Sequence, residues 1–79
     1  MINLISVKSS NIRQIGYEEN RQLSLGRKVN VIRIVFLTGT IYDYYNVAKP
    51  VFDKFLKAKS KGEYFHTYIK EKYIYEKVK

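Results

Sequence analysis

The sequence predicts a small α+β domain, in which a mostly antiparallel sheet of about four to five strands is covered by one or two short C-terminal helices. Three observations predict it. A β-branched run at 31–36 lies among other extended segments. The apolar spacing becomes helical after Pro50, and the tail at 73–78 alternates again. The 79 residues contain no repeat, linker or low-complexity tract, so residues 1–79 are expected to form a single domain.

Five segments have the composition or the alternation of β-strands, and they span residues 2–7, 12–17, 23–36, 40–46 and 73–78. Gly16 interrupts the second segment, and a polar turn at 18–20 is predicted to end it. The third segment is the longest, and Gly26-Arg27-Lys28 is expected to divide it as a bend or a hairpin. Thr38-Gly39 supplies a tight turn, so the strands on either side of it are expected to pair as an antiparallel hairpin.

Two short helices are predicted after the fourth strand. Pro50 suits the first helical position, where its missing N–H costs nothing. The apolar face of the first helix contains Val51, Phe52, Phe55 and Leu56. Ser60-Lys61-Gly62-Glu63 has the pattern of a capping box, in which the serine accepts from the third amide and the glutamate reaches back. The second helix is expected to carry inward Tyr64, Phe65, Tyr68 and Ile69.

The charge balance limits the classes of partner. The chain has 15 Lys and Arg against 7 Asp and Glu, a formal net charge of +8. Such a charge favours a polyanion such as nucleic acid or a nucleotide, or an anionic membrane, although plain solubility explains it equally well. No apolar run approaches the roughly 20 residues of a membrane span, and the start of the sequence has neither a basic n-region nor a cleavage site. We therefore expect a cytoplasmic location and no membrane partner.

The lack of cysteine excludes a disulfide and a thiolate metal site. The single histidine, His66, has no cluster of carboxylates near it in the sequence, so no metal and no other cofactor is expected. Eight tyrosines and four phenylalanines must supply much of the core, and homo-oligomerisation is a common further support at this size. The abundance of Lys, Ile, Asn and Tyr indicates an AT-rich genome of bacterial or viral origin.

The most informative feature for function is a set of aromatic residues on a strand that precedes a lysine-rich helix. Tyr42 and Tyr44 share one face of the fourth strand, because alternate residues of a strand point the same way. They either form a platform on which bases stack or pack beneath the helix, and we favour the core interpretation for this pair. Tyr45 lies on the other face and is the better exposed ring. Tyr64, on the second helix, is a further candidate for stacking.

The densest basic segment comprises the first helix and the residues just after it. Its lysines are Lys49, Lys54, Lys57, Lys59 and Lys61. In one interpretation they neutralise the phosphates of a nucleic-acid partner, which would give salt-dependent affinity. In the other they form a solvated helix face, and the sequence leaves both interpretations open. Arg13 and Arg33 would add charge to the first.

Ser60 and Gly62 also admit two roles. The free N–H groups at a helix start, next to a glycine and a lysine, suit an anion, whereas the more frequent use of the same pattern is a simple cap. His66 has no activating base and no orienting acid at a recognisable spacing, so we expect it at the surface or half-buried, adding a hydrogen bond. The sequence therefore predicts no enzyme.

Several short motifs follow one another along the chain. They are Val7-Lys8-Ser9-Ser10-Asn11-Ile12, Ile15-Gly16-Tyr17, Phe36-Leu37-Thr38-Gly39, Tyr42-Asp43-Tyr44, Ser60-Lys61-Gly62 and Tyr64-Phe65. Their shared order and spacing, over about residues 7–73, resemble the KTSC domain family, with its opening serine and IGY segment, its F-x-x-G and Y-x-Y motifs, and its S-x-G-x-Y-F signature. Members of that family occur alone in bacterial and phage proteins and at the C-terminus of some lysyl-tRNA synthetases. The resemblance implies the fold predicted above and, as a function, RNA binding.

Three departures from the family pattern are visible. The interval between Tyr17 and Phe36 is longer than usual, which indicates an insertion around residues 23–28. His66 stands where asparagine is common, and Ala48-Lys49-Pro50 replaces a proline directly after the valine. We expect this chain to differ from its family at the sheet edge and near His66.

The leading hypothesis is a non-enzymatic basic domain that binds RNA or single-stranded nucleic acid through a lysine and tyrosine surface. The candidate binding residues are Lys54, Lys57, Lys59, Lys61, Tyr44, Tyr45, Tyr64, Arg13, Arg33, Ser60, Gly62 and His66. A second hypothesis is a homo-oligomer, phage-encoded, that sequesters a small nucleotide-like ligand in a pocket between subunits. A third is a protein-interaction module, by analogy with the synthetase context.

Overall fold

The third strand is apolar on both faces, and the fold buries it on both. Val29, Val31, Ile32, Ile34 and Val35 are all buried, as the β-branched run requires of a central strand. The structure, a computed structural model, describes residues 2–24 and 26–79. Its strands are β1 (Asn3–Ser6), β2 (Ile12–Ser24), β3 (Arg27–Phe36), β4 (Ile41–Tyr45) and β5 (Tyr75–Lys77).

Each strand pairs antiparallel with its neighbour in sequence, so the sheet is a meander in the order β1-β2-β3-β4-β5. The helices α1 (Lys49–Lys57) and α2 (Lys61–Tyr64) follow β4, and a π-helical turn, Phe65–Ile69, continues α2. The predicted α+β class, with an antiparallel sheet covered by two short helical segments, is confirmed.

One face of the sheet packs against the helices, and the hydrophobic core lies between them. Its buried residues are Ile12, Ile15, Ile32, Ile34, Tyr44, Val47, Phe52, Phe55, Phe65 and Ile69. Tyr17 of β2 connects this face to α1, because its ring stacks on Phe52 at 5.1 Å between centroids and its hydroxyl donates to the Val47 carbonyl at 2.6 Å. Aromatic rings therefore supply much of the core, as the composition predicts.

The opposite face of the sheet carries a buried carboxylate between two arginines. Asp43 of β4 is only 1% exposed, and Arg33 of β3 lies directly opposite it in the register. Arg33 donates to both oxygens of Asp43, with Nε–Oδ1 and Nη2–Oδ2 distances of 2.7 and 2.8 Å. Arg21 of β2 donates to Oδ2 at 2.7 Å. We call these three residues the arginine–aspartate cluster.

The predicted turn at 18–20 is wrong, because β2 continues through it to Ser24. The register instead shifts between Glu18 and Arg21, and Asn20 adopts a positive φ of 57°. The Asn20 N–H is satisfied by the Asn30 side-chain oxygen at 3.0 Å. The polar residues that resemble a turn in the sequence therefore form a β-bulge, which strand pairing on both sides holds in an extended path.

Gly16 does not interrupt β2. A Cβ placed on it would lie 2.5 Å from Ile2 Cγ2 and 2.7 Å from the Asn3 carbonyl oxygen. The glycine therefore lets Ile2 and Asn3, at the start of the chain, approach the backbone of β2 closely.

Both predicted hairpins are present. Gly26, with a φ of 77°, lies between β2 and β3, so the proposed insertion at 23–28 is the tip of this hairpin; Leu25 within it lies outside the described residues. Gly39, with a φ of 94°, turns the chain between β3 and β4, and its N–H donates to the Phe36 carbonyl at 2.9 Å. The alternating tail forms β5 against β4, as predicted.

The first helix begins at Lys49, with Pro50 in its first turn, and ends at Lys57. Ser60 then caps α2, because its hydroxyl accepts from the Glu63 N–H at 3.1 Å. This confirms the serine half of the predicted capping box. The lysine of the same motif, Lys61, donates to the Ala58 carbonyl just after α1.

The prediction that four residues of the second helix point inward is wrong for one of them. Phe65 and Ile69 are buried and Tyr64 is half-buried, but Tyr68 is 56% exposed. A helix presents one stripe to a sheet, and the pair Phe65 and Ile69 occupies it. Tyr68 therefore lies beside that stripe, on the solvent side.

Candidate functional site

Tyr44 does not offer a ring face for stacking. It is 4% exposed, and its centroid lies 5.6 Å from that of Phe65 and 5.5 Å from that of Tyr75. Burial raises the pKa of its hydroxyl to about 12. The core interpretation is therefore correct for Tyr44, because Phe65 and Tyr75 cover its ring and leave no open face on which a base could stack.

Arg33 and Tyr45 lie on the sheet face opposite the helices. Arg33 is committed to Asp43 through two hydrogen bonds. Burial raises the pKa of the Asp43 carboxyl, but hydrogen bonds from Arg33 and Arg21 outweigh that effect and lower it overall. The Tyr45 hydroxyl donates to Glu76 at 2.6 Å, and this bond and burial raise its pKa. The idea that Arg33 supplies charge to a phosphate surface is therefore wrong.

Three lysines in α1 and the loop after it are uncommitted, which means that they form no ion pair or hydrogen bond with a described residue. Lys54, Lys57 and Lys59 are exposed, and none forms a salt bridge with a described residue. Lys49 differs, since its Nζ lies 3.1 Å from an Asp53 carboxylate oxygen. Three ammonium groups thus lie close together in sequence, in the second half of α1 and just after it, with no acidic partner in residues 2–24 and 26–79.

A groove opens beside these lysines, and we call it the α1–α2 groove. Its volume is about 480 Å³, and it is lined by Pro50, Val51, Lys54, Tyr64, Tyr68 and Tyr73. Tyr64 is held in place on both sides: its ring stacks on Phe55 at 5.5 Å and its hydroxyl donates to the Val51 carbonyl at 3.1 Å. Tyr68 lies 4.7 Å from Tyr64, centroid to centroid. An exposed ring on a fixed support therefore lies next to an uncommitted lysine.

A second cavity, the tyrosine pocket, lies on the other side of α2. It also encloses about 480 Å³, and it is lined by Asn11, Phe36, Tyr42, Tyr44, Gly62, Phe65, His66, Lys70, Glu71 and Tyr75. Position 62 leaves little room for a side chain, because a Cβ on Gly62 would lie 2.8 Å from the Asn11 side-chain oxygen. The glycine of the S-x-G motif thus allows the loop before β2 to approach α2.

The chain is similar to proteins of a known family. A model of the KTSC domain matches residues 8–73. The chain belongs to the KTSC domain family. A crystal structure of a KTSC domain protein from Yersinia pestis superposes with a TM-score of 0.82, with 31% sequence identity and full coverage of both chains.

Larger relatives contain a similar segment. The lysine–tRNA ligases of Trichormus variabilis and Nostoc punctiforme are 32% and 31% identical to the chain over 75 residues. These matches cover 95% of the chain but only 12% of each ligase, so the chain spans about an eighth of the length of these relatives.

The KTSC domain brings together only part of the predicted set. Lys54 and Tyr64 meet in the α1–α2 groove, with Lys57 and Lys59 nearby in sequence. Gly62 and His66 meet in the tyrosine pocket. Ser60 and Lys61 each bond to a helix end, Ser60 as the acceptor for the Glu63 N–H and Lys61 as a donor to the Ala58 carbonyl; the prediction that they also bind an anion stays a prediction. Arg13 is exposed, donates to the Leu37 carbonyl at 3.4 Å, and lines neither cavity.

Two groove residues of the KTSC domain were missed at the level of sequence, Tyr68 and Tyr73. The signal for Tyr68 was present, since it lies four positions after Tyr64 and such pairs meet on a helix surface.

Residues 2–24 and 26–79 contain no group of three or more histidine, cysteine, aspartate or glutamate residues that could hold a metal ion. None of the helices in these residues has the length and hydrophobicity that a membrane span requires.

Proposed function

We propose that this KTSC domain is a non-enzymatic module that binds single-stranded RNA through the α1–α2 groove. The observation that supports this most is Tyr68, an exposed ring 4.7 Å from the supported ring of Tyr64 and lining the same groove as Lys54. A base stacks on such a ring whatever its identity, for about 1–3 kcal/mol.

The charge distribution supports the same proposal. Lys54, Lys57 and Lys59 have no acidic partner among the described residues, so neutralising phosphates would not require breaking an ion pair. Phosphate contacts of this kind add affinity that falls with salt and does not depend on sequence. The net charge of +8 strengthens the attraction at long range.

The relatives give the proposal a biological context. Lysine–tRNA ligases are named for an RNA substrate, and a segment like this one forms part of them. The proposal takes from them only that such a domain occurs in a protein that handles RNA. We propose the cytoplasm as the location of this binding. The groove is formed within one chain, so RNA binding does not require a homo-oligomer.

Fluorescence anisotropy tests the proposal with the full chain and labelled single-stranded RNA oligonucleotides at several salt concentrations. We expect binding at low salt that weakens as salt rises. Tyr68→Ala should lower the affinity about tenfold, as expected for the loss of one stacked base. Lys54→Gln should weaken binding and reduce the salt slope.

Lys28→Gln provides the matched control, because Lys28 is also exposed but lines neither cavity. It should leave the affinity nearly unchanged. An absence of RNA binding at low salt would overturn the proposal, and so would equal effects of the Lys54 and Lys28 variants together with no effect of Tyr68→Ala.

A further inference from the structure

The tyrosine pocket is lined by a residue, Tyr44, whose hydroxyl has no hydrogen-bond partner among the described residues. Tyr44 is 4% exposed, and a buried tyrosine hydroxyl usually has a hydrogen-bond partner. No hydrogen bond joins the Tyr44 hydroxyl to any described residue. Among these residues no fully buried side-chain polar atom lacks a partner, so the hydroxyl oxygen must keep some contact with open space. Tyr44 is one of the residues that line the tyrosine pocket, so we assign the accessible side of the hydroxyl to this pocket.

The protonation state of this hydroxyl defines what it can bind. Burial raises its pKa to about 12, so it is a neutral O–H at physiological pH and can donate to an acceptor. A ligand in this pocket is therefore expected to present a carbonyl, ring nitrogen or phosphate oxygen to Tyr44.

The walls of the pocket are aromatic on several sides. Tyr42, Phe65 and Tyr75 all pack against Tyr44, with centroid distances of 6.4, 5.6 and 5.5 Å. Phe36 lies 5.9 Å from Tyr42 and 5.6 Å from Phe65. A planar heterocycle is the ligand shape that such walls favour, through stacked or edge-to-face contacts.

The remaining lining residues are polar and carry charge of both signs. The Asn11 side-chain oxygen accepts from the Ser9 hydroxyl at 3.1 Å, which leaves its amide nitrogen free to donate to a ligand. Lys70 and His66 are exposed and supply nitrogen groups suited to a phosphate. Glu71 is the one acid of the lining, and a carboxylate at this position can accept from sugar hydroxyls.

We propose that the tyrosine pocket binds a nucleotide, with its base against the aromatic walls, an acceptor of the base or sugar at the Tyr44 hydroxyl, and its phosphate at Lys70 and His66. The volume of about 480 Å³ is within the range of small-molecule sites. The nucleotide is either free or one residue of an RNA strand. The pocket lies within one chain and is separate from the α1–α2 groove, so this inference does not rest on the proposed function.

Isothermal titration calorimetry with the four ribonucleoside monophosphates tests the inference on the full chain. The decisive variant is Tyr44→Phe, which removes the hydroxyl and keeps the ring in the core. We expect it to lower nucleotide affinity roughly 3- to 10-fold, the usual effect of losing one hydrogen bond. Because no residue within 2–24 or 26–79 forms a hydrogen bond with this hydroxyl, the melting temperature should stay within a few degrees of the wild type.

Three further variants separate the pocket from the groove. Lys70→Gln should also weaken nucleotide binding, while Lys54→Gln, its counterpart in the α1–α2 groove, should not. Gly62→Ala should weaken it too, because its Cβ would lie 2.8 Å from the Asn11 side-chain oxygen and displace that amide. Agreement of these three results supports the pocket over non-specific attraction to a basic protein.

Comparing free monophosphates with RNA oligonucleotides shows whether the pocket binds a free nucleotide or one nucleotide of an RNA strand. If monophosphates bind and Tyr44→Phe weakens them, the ligand is a free nucleotide. If only RNA oligonucleotides bind and Tyr44→Phe weakens them, the pocket takes a nucleotide of the strand. The inference is overturned if neither ligand responds to Tyr44→Phe. Failure of RNA to bind at all would contradict the function proposed for the α1–α2 groove, but not monophosphate binding in the tyrosine pocket.

Discussion

Two groups of cations in this small domain have opposite roles. Arg21 and Arg33 converge on one buried carboxylate, that of Asp43, at 2.7–2.8 Å. Lys54 and Lys57, on the helix side of the sheet, form no ion pair or hydrogen bond with any described residue. The formal charge of +8 counts both groups alike. The comparison shows that the net charge of a small domain does not reveal which of its cations are already paired within the fold.

The largest effect is expected from the committed group. Asp43→Ala leaves Arg33 without its acceptor and Arg21 with Glu18 alone in a half-buried setting, so we expect a loss of about 3 kcal/mol in the free energy of unfolding. Urea denaturation measures it. Asp53→Ala is the control, because its ion pair with Lys49 is exposed and should be worth less than about 0.5 kcal/mol. Equal effects of both variants would contradict a structural role for the arginine–aspartate cluster.

Substitutions of the uncommitted lysines should affect RNA binding and leave stability nearly unchanged. Replacing Lys54, Lys57 and Lys59 together by Gln should change the unfolding free energy little, since none has a partner to lose. It should reduce the slope of log affinity against log salt for RNA by roughly 2, at about 0.7 for each phosphate contact on a single strand. An unchanged slope in anisotropy titrations would show that these lysines do not contact phosphate.

The pH dependence of stability should distinguish the two groups as well. The Asp43 pKa is lowered in the folded state by Arg33 and Arg21, in spite of burial. Its contribution is present above the unfolded pKa of about 3.9 and is lost as the pH falls towards the folded value. The stability difference between the wild type and Asp43→Asn should therefore shrink as the pH falls from about 5 to about 3. A constant difference would mean that the charge of Asp43 does not matter.

The smallest effect is expected within the lysines themselves. Lys61 donates to the Ala58 carbonyl, whereas Lys59 makes no such contact. Lys61→Gln should therefore destabilise the fold by about 0.5 kcal/mol, and Lys59→Gln should not. Thermal denaturation of both variants under the same conditions tests whether a lysine in this segment can be structural.

Much of the sheet could be predicted because its signals are local. The β-branched run of β3, the glycine turns and the Ser60 cap each act within a few residues, and each occurs as expected. The turn expected at 18–20 failed because the same polar residues also suit a bulge. Pairing with β3 before and after these residues decides between them, and that pairing depends on a more distant part of the chain.

The candidate site was less predictable, for reasons visible in single residues. A two-residue turn at Thr38-Gly39 would place Tyr44 opposite Arg33, whereas the observed loop of three residues, 37–39, places Asp43 there. That half of the cluster therefore depended on a loop length that the sequence did not settle. The approach of Arg21 from β2 was out of reach as well, because it depends on the bulge in that strand. Likewise, the spacing of Tyr64 and Tyr68 predicts their contact, but not which of them the helix presents to solvent.

The sequence by itself determined the class of fold, the family and the excess of positive charge, because these follow from composition and from the local order of motifs. Only the tertiary structure decided which cations are already neutralised, which rings are covered, and that one helix separates two cavities. Those outcomes depend on side chains far apart in the chain competing for the same buried space. No local pattern records the result of that competition.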